Sequence, residues 1–138
     1  LVPSLPRLGE AVCALCAIVG HNWSVYIKFR GGRGVTPGMG ALIVMVPWVA
    51  LIVGGIFVLL MGLFRYVSLA NVLGIMSVSL MILILFLLER QPASYLIYSG
   101  VGSALIIFQH RDNIARLLSG TERKLGQRGE RRGKEMRE

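Results

Sequence analysis

The sequence predicts an all-α fold: a polytopic bundle of membrane helices in which short or broken helices surround a site facing the cytoplasm. Hydrophobic residues make up 54% of the 138 residues, which is too apolar for an ordinary soluble domain. Three long apolar runs are present: Gly38 to Phe64, Tyr66 to Leu88 and Ala93 to Gln109. Pro47 interrupts the first run, and a proline inside a helix kinks or breaks it.

The first predicted element is a short apolar helix from Leu8 to Gly20. At about 1.5 Å per residue it covers roughly 20 Å, which is less than a hydrocarbon core of about 30 Å, so we expect the helix either to begin further upstream or to enter the membrane at a tilt. It contains Cys13 and Cys16 as a single CxxC pair, so we predict buried helix thiols rather than a metal or redox site. The chain begins at Leu1 without a signal-peptide pattern, and we expect it to be a fragment whose upstream part is absent.

The basic stretches before the first long run and after the last one set the expected topology. Both should lie in the cytoplasm, which requires an even number of membrane crossings between them. Three apolar runs give an odd number. A break at Pro47 into a short segment, Val35 to Val46, and a full span, Trp48 to Phe64, gives four crossings. Broken backbone at membrane depth is tolerated where it lines protein or a wet cavity, so we expect Gly31 to Gly40 to face an interior site.

The stretch between the first helix and the first long run combines positive charge with glycine. Lys28, Arg30 and Arg33 fall within six residues, beside three glycines: Gly31, Gly32 and Gly34. Glycines let a backbone aim its N–H groups at an anion, and an arginine fork bonds two phosphate oxygens at once. The pattern indicates a phosphate-binding loop. The alternative is a basic loop that only fixes membrane orientation, since cytoplasmic loops collect Lys and Arg.

A second group of polar residues follows the last apolar run, on a helix predicted to leave the membrane. His110, Asn113 and Arg116 are three residues apart and share one broad helical face. The imidazole can accept a hydroxyl proton, the carboxamide can hold a hydroxyl group and the guanidinium can neutralise a phosphate. The alternative is an amphipathic interfacial helix with a histidine at the membrane boundary.

The net charge of +8 is distributed unevenly. From Arg111 to Glu138 the chain holds nine of its fifteen Lys and Arg and five of its seven acidic residues. We predict a membrane domain over residues 1–122 and a basic, disordered cytoplasmic tail over residues 123–138. Basic residues beside apolar runs, without an aromatic-rich polar surface, favour topology or anionic lipid over nucleic acid. The bilayer is therefore an expected partner and nucleic acid is not.

Two ordered motifs give the chain a family resemblance. Gly20-His21, the stretch FRGGRGV from Phe29 to Val35, and Gly40 resemble the second motif of the bacterial membrane glycerol-3-phosphate acyltransferases of the PlsY type. The stretch HRDNIARLLSGTE, from His110 to Glu122, is similar to that family's third motif, and Arg65 to Ala70 matches a stretch that recurs between them. The resemblance covers nearly the whole chain.

The resemblance implies a multi-pass protein of the bacterial inner membrane whose site loops and tail are cytoplasmic. The implied reaction transfers an acyl group from acyl phosphate to the 1-hydroxyl of sn-glycerol 3-phosphate and gives lysophosphatidic acid. Carried over residue by residue, it implies His110 and Asn113 as catalytic residues and places Arg33 where the family has a lysine. The residues predicted to bind substrate phosphate, from the residue patterns and the resemblance together, are Arg33, Arg30, Gly31, Gly32, Gly34, His21 and Arg116. No metal or cofactor is implied.

The family's first motif, a glycine-rich loop with a serine and an arginine, has no counterpart in this sequence, so we expect the chain alone to be inactive. Direct transfer from an acyl phosphate needs no covalent intermediate, which agrees with the lack of a nucleophilic serine elbow. Two other functions stay open: a transporter or channel element for an organic phosphate, and a non-catalytic membrane scaffold. The scarcity of polar residues along the spans argues against transport.

Overall fold

The computed structural model describes residues 4–29 and 31–126. This part of the chain consists of helices, turns and loops and contains no strand. The helices are α1 (Ser4–Asn22), α2 (Val35–Met45), α3 (Pro47–Phe64), α4 (Val67–Leu87), α5 (Ala93–Gln109) and α6 (Arg111–Leu118), and a short 3-10 turn covers Val25–Ile27. By length and composition α3 and α4 can cross a membrane, while α2 and α5 are apolar but shorter. The predicted all-α class is confirmed.

The break predicted at Pro47 is present and has a local cause. A proline pushes the residue before it out of the helical region, and Val46 has φ −145° and ψ 73°. Pro47 then begins α3, where its missing N–H costs no intrahelical hydrogen bond. The first long apolar run therefore forms two helices, α2 and α3, whose bounds at the break lie within one residue of the predicted ones.

Helix α1 is longer than the sequence pattern indicated. It begins at Ser4 rather than Leu8 and continues through Pro6, which lies in the first turn where proline is tolerated. Its 19 residues rise by about 28 Å, close to the hydrocarbon thickness of about 30 Å. Of the two explanations for the short apolar run, a helix that begins upstream of Leu8 is confirmed.

The prediction of buried cysteines is wrong, and the reason lies in the periodicity of α1. Ala11, Ala14 and Ile18 form its buried face, at spacings of three and four residues. Cys13 and Cys16 lie off that face and are exposed free thiols. The apolar run from Ala11 to Val19, which contains both cysteines, did not show which face of the helix packs against the bundle.

Two apolar clusters form the interior, and Met45 packs against both. One cluster lies where α2, α3, α4 and α5 meet, and its buried members are Leu42, Val46, Val49, Ala50, Val53, Ile82 and Tyr95. The other joins α1 to α4 and α5 through Ala11, Ala14, Ile18, Ile75, Tyr98 and Ile106. Large apolar side chains such as Val44, Leu51 and Leu87 are exposed, as expected for helices whose solvent is lipid.

The residues after α6 turn back onto the connection between α3 and α4. The Leu125 N–H donates to the Arg65 carbonyl at 2.7 Å, and the Arg65 guanidinium donates to the Leu125 carbonyl at 2.9 Å. These contacts bring Glu122 to the first turn of α4. The predicted tail starts at Arg123, and its residues 127–138 lie outside the described part of the chain.

Candidate functional site

His110 lies at the junction of α5 and α6 and is fully buried. The sequence predicted one continuous helix through His110, Asn113 and Arg116, but the helix is interrupted at His110, whose φ and ψ are −93° and 2°. The Nδ1 atom of His110 lies 2.8 Å from the Ile106 carbonyl oxygen. A carbonyl oxygen only accepts hydrogen bonds, so we assign the proton to Nδ1 and the lone pair to Nε2.

The surroundings of His110 favour its neutral form. Burial lowers the pKa of the imidazole below its ordinary value of 6.5, and the positive charge of Arg33 also lowers it, while the hydrogen bond to Ile106 acts in the opposite direction. The Nε2 atom is buried and has no hydrogen-bond partner among the described residues. It is therefore free to accept a proton from a bound ligand.

Four polar side chains form a closed ring of hydrogen bonds one helical turn from His110. Asn113 Nδ2 donates to Ser68 Oγ at 2.9 Å, and the Ser68 hydroxyl donates to Glu122 Oε1. Arg116 closes the ring, since its Nε donates to Glu122 Oε2 at 2.8 Å and its terminal nitrogen donates to Asn113 Oδ1. Asn113 and Ser68 are buried, so the ring holds the carboxamide in one orientation.

Glu122 is charged within this ring. Burial alone raises the pKa of a carboxyl group, but hydrogen bonds from Ser68 and Arg116 and the charges of Arg116 and Arg33 hold the pKa of Glu122 below its usual range. Arg116, predicted to bind phosphate, shares its guanidinium between Asn113 and Glu122. Its side chain remains 46% exposed.

The glycine-rich loop folds tightly against the end of α1. The Gly32 N–H donates to the His21 carbonyl at 3.1 Å. A Cβ atom added to Gly31 would lie 2.0 Å from that same oxygen, and one added to Gly32 would lie 2.1 Å from His21 Nε2. Gly34, with φ 80°, is the N-cap of α2. Glycine is needed at Gly31, where an added side chain would meet the backbone of α1, and at Gly34 because of its left-handed conformation. Gly32, in contrast, faces only the tip of the exposed His21 side chain.

Arg33 connects the glycine-rich loop to the His110 region. Its side chain is exposed, and its charge lowers the pKa values of both His110 and Glu122. Two motifs that are far apart in the sequence therefore meet at one end of the bundle. The exposed His21 lies beside the loop, and Arg30 lies outside the described residues.

Three residues of this region were not singled out as site residues from the sequence. Ser68 and Glu122 belong to the ring, although both lie in stretches that carried the family resemblance. Asn22 ends α1 and is buried, and neither polar atom of its side chain is hydrogen-bonded within the described ranges. Its position directly after His21 in the second motif was the available signal.

An apolar cavity begins one helical turn from the polar residues. We call the end of the bundle that carries Arg33, His110 and the hydrogen-bond ring the polar end. Four residues of the cavity wall each lie three or four positions from a residue at this end: Ile18 from Asn22 in α1, Gly38 from Gly34 at the start of α2, Asn71 from Ser68 in α4, and Ile106 from His110 at the end of α5. A Cβ atom on Gly38 would lie 3.4 Å from Ile106 Cδ1 and 3.7 Å from Ile18 Cδ1, so three of these helices meet at one level. The polar end and the apolar cavity thus adjoin.

Most of the length of the chain matches known proteins. The family model described as glycerol-3-phosphate acyltransferase matches residues 2–120. Similar proteins include glycerol-3-phosphate acyltransferase 3 of Dehalococcoides mccartyi, 40% identical over 119 residues, and glycerol-3-phosphate acyltransferase of Rubrobacter xylanophilus, 42% identical over 118 residues. Each alignment covers 86% of this chain but only 55% and 57% of the two relatives, so the chain spans little more than half of their length.

Two solved structures share the fold. They are crystal structures of PlsY, an integral membrane glycerol 3-phosphate acyltransferase, in a glycerol 3-phosphate form and in a lysophosphatidic acid form. Their TM-scores are 0.77 and 0.76 at 34% identity, over 88% of this chain and 64% and 66% of the PlsY chains. The predicted membrane helix bundle is confirmed by this likeness. The resemblance first seen in two motifs extends along the chain, which belongs to the glycerol-3-phosphate acyltransferase family.

Proposed function

We propose that the protein transfers an acyl group from acyl phosphate to the 1-hydroxyl of sn-glycerol 3-phosphate and releases lysophosphatidic acid. Membership of the family supports the reaction class. PlsY, its relative of known structure, was solved in glycerol 3-phosphate and lysophosphatidic acid forms, which supports the acceptor and the product. The proposal concerns the full-length protein, because the chain spans little more than half of the relatives it matches.

In the proposed reaction, the 1-hydroxyl oxygen of glycerol 3-phosphate attacks the carbonyl carbon of acyl phosphate. An ester bond forms, the bond between that carbon and the phosphate oxygen breaks, and the phosphate leaves. The hydroxyl proton passes to His110 Nε2 and from there to the leaving phosphate. The observation that carries this assignment is the buried Nε2 of His110, which has no partner among the described residues and lies one helical turn from Ile106 in the cavity wall.

The phosphate group of glycerol 3-phosphate is assigned to the positively charged end of the site. The proposed ligands are the side chains and loop glycines of the second motif together with one partly exposed side chain on α6: Arg33, Arg30, Gly31, Gly32, Gly34, His21 and Arg116. Charge-assisted and bidentate hydrogen bonds make arginine a strong phosphate ligand. The same charges stabilise the oxyanion that develops on the attacked carbonyl.

Asn113 is assigned to the acceptor hydroxyl group. Its Nδ2 uses one N–H on Ser68, and its Oδ1 accepts from Arg116, so one N–H and one lone pair are left for substrate. Since the ring already holds the carboxamide in place, the orientation needed to align the hydroxyl group exists before substrate binds.

We also propose that the site faces the cytoplasm from the bacterial inner membrane. The glycine-rich loop, the α3–α4 connection and α6 lie at one end of the bundle and carry Arg33, Arg65, Arg111 and Arg116. Basic residues collect on the cytoplasmic side of membrane proteins. Acyl phosphate, with an apolar chain and a charged head, can then reach the site from the inner leaflet.

The test measures the release of inorganic phosphate from acyl phosphate by the full-length protein in detergent, with and without glycerol 3-phosphate. We expect release that requires glycerol 3-phosphate and falls by about a hundredfold or more in His110→Ala and in Arg33→Ala. Arg123→Ala removes an exposed arginine outside the ring and serves as the matched control. Release that ignores glycerol 3-phosphate, or that survives both site substitutions, would contradict the proposal.

A further inference from the structure

One part of the apolar cavity lies against the packed interior of the bundle. Beyond the polar end it is lined by Leu42 of α2, Val53 of α3 and Val78 of α4. Leu42 and Val53 are 2% and 3% exposed and belong to the cluster between α2, α3, α4 and α5, with Val78 packed against it. These three residues form the cavity floor. The hydrocarbon chain of a ligand that enters the cavity from the polar end therefore meets tightly packed side chains.

Gly74 leaves a gap in the wall between the polar end and the cavity floor. It is buried on α4, about one turn beyond Asn71 and one turn before Val78. A Cβ atom added there would meet only Val53 Cγ1, at 3.8 Å, which is an ordinary van der Waals contact. The backbone thus accepts a side chain at position 74, and a longer side chain would extend into the cavity.

We propose that Gly74 and the cavity floor determine the length of the acyl chain that the enzyme accepts. The inference rests on the proposed acyl transfer and adds a specificity determinant to it. From Ser68, at the polar end, to Val78, α4 rises by about 15 Å. The acyl chain is proposed to lie along this length of the helix.

The occupant of the cavity is the acyl chain of the substrate itself. Acyl phosphate joins a charged head to an apolar chain, and the site joins a charged end to an apolar cavity at the level of His110 and Ile106. The volume of the cavity without ligand is about 60 Å³, so the cavity is narrow. The half-buried Met39 on its wall can turn aside for a chain, as flexible methionine side chains do.

The experiment compares kcat/KM for hexadecanoyl phosphate and decanoyl phosphate in the full-length protein. Gly74→Leu should lower the hexadecanoyl-to-decanoyl ratio by about tenfold or more, because several methylene groups lose their place in an apolar pocket. Gly100→Leu is the matched control. Gly100 is exposed on α5, an added Cβ atom would meet nothing within 4 Å, and the ratio should not change.

A second variant makes the test independent of whether Gly74→Leu folds. Val78→Ala removes two methyl groups from the cavity floor and should move the ratio in the opposite direction, towards the longer chain. An unchanged ratio in Val78→Ala would by itself overturn the inference and leave the acyl transfer intact, and so would an equal loss for both substrates in a folded Gly74→Leu. The cavity would then hold a lipid tail or no chain. A lack of glycerol 3-phosphate-dependent release in the unaltered protein would instead contradict the proposed function and the inference with it.

Discussion

At the scale of single residues, the pKa of His110 in the third motif depends on the charge of Arg33 in the second motif. The imidazole accepts a proton only in its neutral form, so activity should fall as the pH drops through its pKa, which lies below 6.5. The charge of Arg33 lowers this pKa. In Arg33→Gln the pKa should rise, and the acid limb of kcat/KM should move to higher pH.

The measurement is a pH profile of kcat/KM for the unaltered protein, Arg33→Gln and Arg33→Lys. Arg33→Lys keeps the positive charge and should keep the acid limb in place. Ionisation of the substrate phosphate is common to all three proteins and cancels in the comparison. Equal acid limbs in Arg33→Gln and Arg33→Lys would show that Arg33 does not act on His110.

The glycines of the second motif show what a residue pattern can predict and what it leaves to the structure. The sequence predicted that Gly31, Gly32 and Gly34 shape a phosphate-binding loop. The structure shows that Gly31 and Gly32 permit contact with His21 and that Gly34 takes a left-handed conformation at the start of α2. Phosphate binding by the loop stays a prediction, whereas the need for glycine is explained by the fold.

At the scale of elements, the hydrogen-bond ring joins α4, α6 and the segment after α6. Ser68→Ala would leave Asn113 Nδ2 and Glu122 Oε1 without their partner, which should cost about 1–3 kcal/mol of unfolding free energy and reduce the rate of phosphate release. The change is checked by thermal unfolding in detergent and by kcat. A variant as stable and as active as the unaltered protein would show that the ring is not needed.

Ser77→Ala is the control for that experiment. Ser77 lies on the same helix, but its hydroxyl donates to the Leu73 carbonyl of α4 itself at 2.8 Å, and between residues 4–29 and 31–126 it has no hydrogen bond to another element. Its loss should change the free energy of unfolding by about 0.5 kcal/mol or less. The difference between the two serine variants therefore isolates the contact between elements from the loss of a hydroxyl group.

At the scale of the whole molecule, two titratable groups make the fold sensitive to acid. The pKa of folded His110 lies below 6.5, so only the unfolded chain gains that proton as the pH falls, and stability is complete above about 6.5 and declines below it. The pKa of folded Glu122 lies below 4.5, so its contribution is present above 4.5 and is lost as the pH falls through the folded value.

The unfolding temperature in detergent should therefore fall on acidification, first below about 6.5 through His110 and again below 4.5 through Glu122. His110→Gln removes the first contribution, and its unfolding temperature should change less between those two pH values. An unfolding temperature that rises as the pH falls from 6.5 to 4.5 would contradict the assigned direction of the His110 shift.

The sequence by itself determined the features that depend on neighbouring residues. The apolar runs predict helices, and Pro47 breaks the first run because proline restricts the residue before it, which is a local effect. Only the tertiary structure decided which side chains meet. Ser68 reaches Glu122 across 54 positions, and the exposed face of α1 holds both cysteines. Such contacts depend on how helices pack, and the apolar run from Ala11 to Val19 carries no periodic signal of the face that the helix buries.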